Sequence, residues 1–325
     1  MASAEIQNRH TLTNWRAPNI TTRQKRVQIG IAATQICIQV FFLVWALRNI
    51  WRFVVKQQRW KTPVILVTYL ASLVMILTLI SLMALIIVDA ENPTITLTDG
   101  HYVLDITVYY TQVFLWTYAR ILLGFNQAGS FLECGAKLHH SAEGAKPIIR
   151  RINWAVYIAD LFTVTSFVWS SVRTHTITAE AWNTCPQPEQ NFCKDPTPGN
   201  PCNCETFAVF DYWYEWMNTC LYFIVCCVLI AAYFYFQRGL KSRFEDCEMT
   251  DFQRNFKVLM FTFVAIYLFD MIFVLFKGHW KVLFTSSFER FILEIIFLPL
   301  GQILMLFAIF LLHSKNFGAR DQSLF

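Results

Sequence analysis

The chain has 325 residues, 55% hydrophobic and 16% aromatic, with only 15% charged and a formal net charge of +5. That balance is too apolar for a soluble domain of ordinary composition. It reads as an all-α, multi-pass membrane protein whose first partner is a lipid bilayer, with no nucleic acid expected.

Residues 1–27 are polar and carry Arg9, Arg16, Arg23, Lys25 and Arg26. They lack the basic, apolar and small-residue order of a cleaved signal peptide, so the first span is expected to serve as an uncleaved anchor. A helix needs about 20 mainly apolar residues to cross the hydrocarbon core. Seven stretches qualify, near 28–50, 63–89, 102–125, 152–174, 207–236, 256–277 and 286–313. The expected organisation is an N-terminal tail (1–27), one seven-transmembrane helix bundle (28–313) and a C-terminal tail (314–325), with no repeat of fixed period.

Seven spans put the termini on opposite sides, and the Lys/Arg bias chooses the orientation. Segments 51–62, 126–151, 237–255 and 314–325 hold 14 Lys/Arg, against 7 in the N-tail and segments 90–101, 175–206 and 278–285. The N-terminus is therefore expected outside and the C-terminus inside, in a plasma membrane or endomembrane. Five of those 7 charges lie in the N-tail, which works against its export. The sequon Asn19-Ile20-Thr21 permits glycosylation on that side.

The longest outer segment, 175–206, is Pro-rich and holds Cys185, Cys193, Cys202 and Cys204. An even number of cysteines outside the cytosol reads as two disulfides, the Cys202–Cys204 pairing being the least comfortable. A zinc site is the alternative, although the usual paired ligand spacing is missing. The other six cysteines are expected to pack as small apolar groups.

Ionisable groups inside a span usually face a partner or a wet cavity. In the third span Asp105, Tyr109, Gln112, Trp116 and Arg120 form one helical stripe, and in the fifth Asp211, Glu215, Asn218 and Tyr222 form another. The plain alternative for the fifth span is an aromatic belt at the membrane interface. Arg120 and Asp160 are expected at matched depth in neighbouring spans, as a buried ion pair. Glu294 has Arg290 one turn away, whereas Asp270 has no basic neighbour within a turn. Asp105, Tyr109, Asp211, Glu215, Trp216, Asp270 and Glu294 are accordingly expected around an outer mouth, where carboxylates and ring faces suit a cation.

No H-E-x-x-H, G-x-S-x-G or Walker pattern occurs, so no catalytic residue, metal or cofactor is expected. His139 and His140 are assigned to a solvated inner loop. Seven spans with an outer N-terminus resemble the architecture of G-protein-coupled receptors, but architecture alone. The third span ends in "TYARILLGF", not an acidic-Arg-Tyr triplet, and "LPLGQILMLF" lacks Asn-Pro-x-x-Tyr. Fold does not determine function.

The expected function is a receptor-like protein binding a cationic or amine-type ligand. The alternatives are a cation channel or cation-coupled transporter, a homo-oligomer in the channel case, and a structural subunit of a membrane complex. The terminal Ser323-Leu324-Phe325 resembles a PDZ-domain ligand and offers a route to a cytosolic signalling partner.

Overall fold

The computed structural model describes residues 21–52, 63–91, 101–184, 205–243, 250–276, 296 and 299–310. Among these the chain forms seven helices: α1 (Thr22–Ile50), α2 (Pro63–Glu91), α3 (His101–His139), α4 (Ala142–Thr184), α5 (Glu205–Arg243), α6 (Thr250–Phe276) and α7 (Pro299–Phe310). Their starts carry familiar signals. Thr21 caps α1 in a reciprocal box with Gln24, and α2 runs from Pro63, a residue tolerated in a first turn because its missing N–H leaves no bond unmade there. Ser141 caps α4 by accepting from the Gly144 N–H at 3.3 Å.

Four stretches are long and apolar enough to cross a membrane: Thr22–Ile50, Leu66–Val88, Glu143–Ile177 and Trp213–Lys241. The apolar parts of α6 and α7 within the described residues, Met260–Ile272 and Pro299–Phe310, are shorter. α3 is absent from the four because of its polar stripe, and the packing explains how it tolerates one. It is the central helix. Named contacts run from it to α2 (Gln112 to Ser81, 2.9 Å), α4 (Tyr118 with Ser170, 3.1 Å), α5 (Phe114 on Tyr214, centroids 4.5 Å apart), α6 (Tyr267 hydroxyl to the Arg120 carbonyl, 2.6 Å) and α7 (Trp116 to Gln302). A helix enclosed by its neighbours has no lipid to please.

The bundle is arranged for lipid on its outside. Phe41 and Leu161 are 62% and 67% exposed, while Arg120 is 0% exposed and Gln39, Asn126, Gln127 and Gln302 are buried. Such an inversion of the soluble pattern is what a bilayer environment demands of a multi-pass protein.

Two expected loops are shorter than the sequence implied. Segment 126–151 is helical except for His140 and Ser141, and 175–184 continues α4. Helices run past the apolar limits because hydrogen bonding along the backbone does not depend on the lipid. Asn19, the four cysteines of 185–204, Arg290, Glu294 and the C-terminal tail lie outside the described residues. Of the remaining cysteines, Cys226 is buried, whereas Cys37, Cys220 and Cys227 are on the outward face rather than in the core.

Candidate functional site

The chemistry of the interior gathers on one layer. Arg120 of α3 forms an ion pair with Asp270 of α6, both side chains buried. The guanidinium lies over the Trp116 ring, 4.6 Å from its centroid, a contact contributing about 0.5–2 kcal/mol. Trp116 donates its indole N–H to Gln302 of α7, and Gln302 donates to Gln39 of α1 at 3.0 Å. One connected set of side chains thus ties α1, α3, α6 and α7 together. Arg120 Nε and Gln39 Nε2 find no acceptor among the described residues.

Small residues make the layer fit. A Cβ at Gly301 would stand 3.0 Å from an Arg120 terminal nitrogen, so glycine leaves the guanidinium its space beside α7. A Cβ at Gly124 would meet Val225 at 2.5 Å and the Tyr267 hydroxyl at 2.6 Å, so α3, α5 and α6 approach closely there.

The expected pair of Arg120 with Asp160 is replaced. Asp160 instead accepts from Asn126 Nδ2, at 3.0 and 3.1 Å to its two oxygens. Two geometric reasons account for the change. Asn126 precedes Asp160 across an antiparallel contact, so the residue of α4 level with Arg120 lies near Ser166, about 9 Å further along the helix at 1.5 Å per residue. Arg120 and Asn126 are also six positions apart, which at 3.6 residues per turn sets them about 120° apart around α3. Arg120 therefore points at α6, where Asp270 waits.

This assigns a partner to Asp270, the acid that the sequence left without one, and removes it from the expected ligand set as a free carboxylate. Its neutralising base comes from another helix 150 positions away, a pairing that no local spacing could disclose.

The α5 stripe is directed inward in its described part. Asn218 is 2% exposed and Tyr222 is buried, with the Tyr214 hydroxyl bonded to Thr117 of α3 at 3.3 Å. Trp213, by contrast, is 63% exposed, and Trp216 is exposed as well, apart from the buried stripe on which it was not expected to lie but beside which it was expected to act. Glu215 is half-buried. Asp105 and Tyr109 are carried by α3 and Asp211 by α5, with side chains outside the described set, as is the whole of Glu294. Among the described residues no group of three or more His, Cys, Asp or Glu could hold a metal ion.

One site was missed by sequence reasoning. His139 is not in a solvated loop: its ring packs on Tyr235 with centroids 4.7 Å apart, and Nε2 lies 2.9 Å from the Tyr235 carbonyl. Gly239, beside the His139 ring, was the available signal.

No protein-family model matches the chain, and no curated protein matches its sequence.

Proposed function

We propose that the chain is a receptor-like membrane protein of seven spans, N-terminus outside and C-terminus inside, that binds a cationic or amine-type ligand between the outer ends of α3 and α5. The observation that carries this reading is the direction of the α5 stripe. Asn218 and Tyr222 are buried, with the Tyr222 ring against Tyr267 of α6 and the neighbouring Tyr214 bonded to Thr117 of α3, while Trp213 faces out, so the aromatic-belt alternative accounts for Trp213 but not for the polar positions. Glu215 and Asp211 continue the same stripe about one and two turns toward the Cys-bearing segment. On the facing helix Tyr110 and Phe114 supply buried rings. Carboxylates above a ring-lined contact suit a cation, through charge and through ring faces. Asp105, Tyr109 and Glu294 remain in the proposed ligand set, Asp270 acts as the structural partner of Arg120, and Trp216 stands at the rim.

Beneath the proposed site, the Gln39–Gln302–Trp116 chain and the Arg120–Asp270 pair supply a connection by which movement of the outer part of α3 reaches three other helices. A response to ligand needs differential contacts between two arrangements of such an element.

The test is thermal unfolding of the purified chain with monovalent, divalent and amine cations. A ligand of the folded state stabilises it by about 2.7 kcal/mol at a hundredfold excess over Kd. Glu215→Gln and Asp211→Asn are expected to lose that shift, and Trp213→Phe to keep it. The reading is wrong if no cation class shifts the wild type.

A further inference from the structure

α4 stands at the edge of the bundle. It packs mainly on α3 and slightly on α5, and it is the least buried of the four candidate spans. Its outward face is a continuous apolar strip that includes Trp154, Ile158, Leu161, Phe162, Val168 and Trp169. Lipid alone would satisfy that strip. Asp160 is the feature that lipid does not satisfy.

Asp160 lies inside the apolar stretch Glu143–Ile177, six residues from the exposed Trp154 and nine from the exposed Trp169. At 1.5 Å per residue those are about 9 and 13 Å, which sets it well within the hydrocarbon between two aromatic anchors. It is half-buried, on the flank of the face that meets α3. Both of its oxygens share a single amide nitrogen of Asn126, which also bonds the Leu122 carbonyl at 2.9 Å. A carboxylate offers about four acceptor positions, and among the described residues no basic side chain reaches it, since Arg120 is committed to Asp270.

We propose that Asp160 and the adjoining strip of α4 form a docking surface for a transmembrane helix of another protein that presents a Lys or Arg at mid-bilayer depth. The charge selects the occupant. An acid at the lipid boundary gains most from an opposite charge held in the same low-dielectric layer, and a helix supplies it while covering the apolar strip. A second copy of this chain meeting α4 against α4 would bring two Asp160 carboxylates to the same depth, where like charges repel. The inference is independent of the receptor reading, because it uses the lipid-facing side of α4 and none of the proposed ligand residues.

The experiment places the full chain in lipid nanodiscs with a photo-reactive phenylalanine analogue at position 161. The probes are Leu-rich single-span helices carrying one Lys at successive depths, with an all-Leu helix as reference. Cross-linking is expected to peak when the Lys is level with Asp160, with roughly tenfold preference over the all-Leu helix, the factor that corresponds to 1.4 kcal/mol. Asp160→Asn should reduce the peak to the reference level, and Asp160→Glu should retain it. The depth scan uses the wild-type fold, so failure of Asp160→Asn to fold would not spare the proposal. A flat depth profile, an undiminished peak in Asp160→Asn, or cross-linking between two copies of the chain in preference to the Lys helix each overturns it.

Discussion

At the residue scale the decisive contact is Arg120 with Asp270. Removing one partner of a buried pair leaves an uncompensated charge, at a cost of about 3–5 kcal/mol. Arg120→Leu and Asp270→Leu are each expected to lower the unfolding temperature sharply, and the double variant to recover part of the loss. Pairing Arg120→Leu with Asp160→Leu should give additive losses instead, because the two side chains share no contact. Unfolding of the three single and two double variants measures both couplings, and a larger coupling for Asp160 than for Asp270 would refute the geometry. Neighbouring residues set the context: Trp116 screens one face of the guanidinium and Gly301 leaves room on another.

At the element scale, α3 and α4 meet in a regular antiparallel register. Asn126 bonds Asp160, and seven residues along each helix Asn153 faces Glu133 within hydrogen-bonding reach. The donors and acceptors exchange helices between the two rungs, so a slip of one residue would break both. Val156 fills the space between them against Gly129. Helix approach also depends on Gly124, and its role is separable from the ordinary helix preference for alanine. Gly124→Ala forces a methyl into Val225 and Tyr267 and is expected to cost about 1–3 kcal/mol, the usual penalty for overpacking. Gly30→Ala meets nothing within 4 Å and should stabilise by about 0.5–1 kcal/mol, by restricting the unfolded chain and favouring the helix. Equal effects of the two changes on thermal unfolding would show that the close approach at Gly124 is absent.

At the scale of the whole molecule, exposed apolar side chains surround buried polar ones, and α3 is held at the centre by five neighbours. The proposed topology has a direct check. Tags at the two termini should be reached from opposite sides of sealed cells if the chain makes seven spans, and from the same side if only the four longest apolar helices cross. An impermeant thiol reagent should label Cys185, Cys193, Cys202 and Cys204 from outside only after reduction. Labelling of that segment that is unchanged by reduction would remove the disulfide proposal, and tags on one side would remove the seven-span topology.

Read alone, the amino-acid order is enough for the class of molecule: a helical, lipid-adapted chain, the approximate positions of its helices, and the existence of polar stripes on α3 and α5 whose inner residues avoid lipid. These follow from composition and from periodicity, which are local properties. The tertiary structure decided which charges meet. Asp160 and Asp270 were both acids in apolar spans, and nothing within a few turns of either distinguished them. The choice depended on the register and rotation of α3 against α4 and α6, set by the joint packing of residues such as Gly124, Gly129 and Tyr267. Helix ends moved for a related reason: apolarity marks where lipid begins and ends, whereas backbone hydrogen bonding carries α3 on to His139 and α4 to Thr184. A linear pattern records the depth of a side chain only approximately, and its direction toward a particular neighbour exists only once the helices are packed.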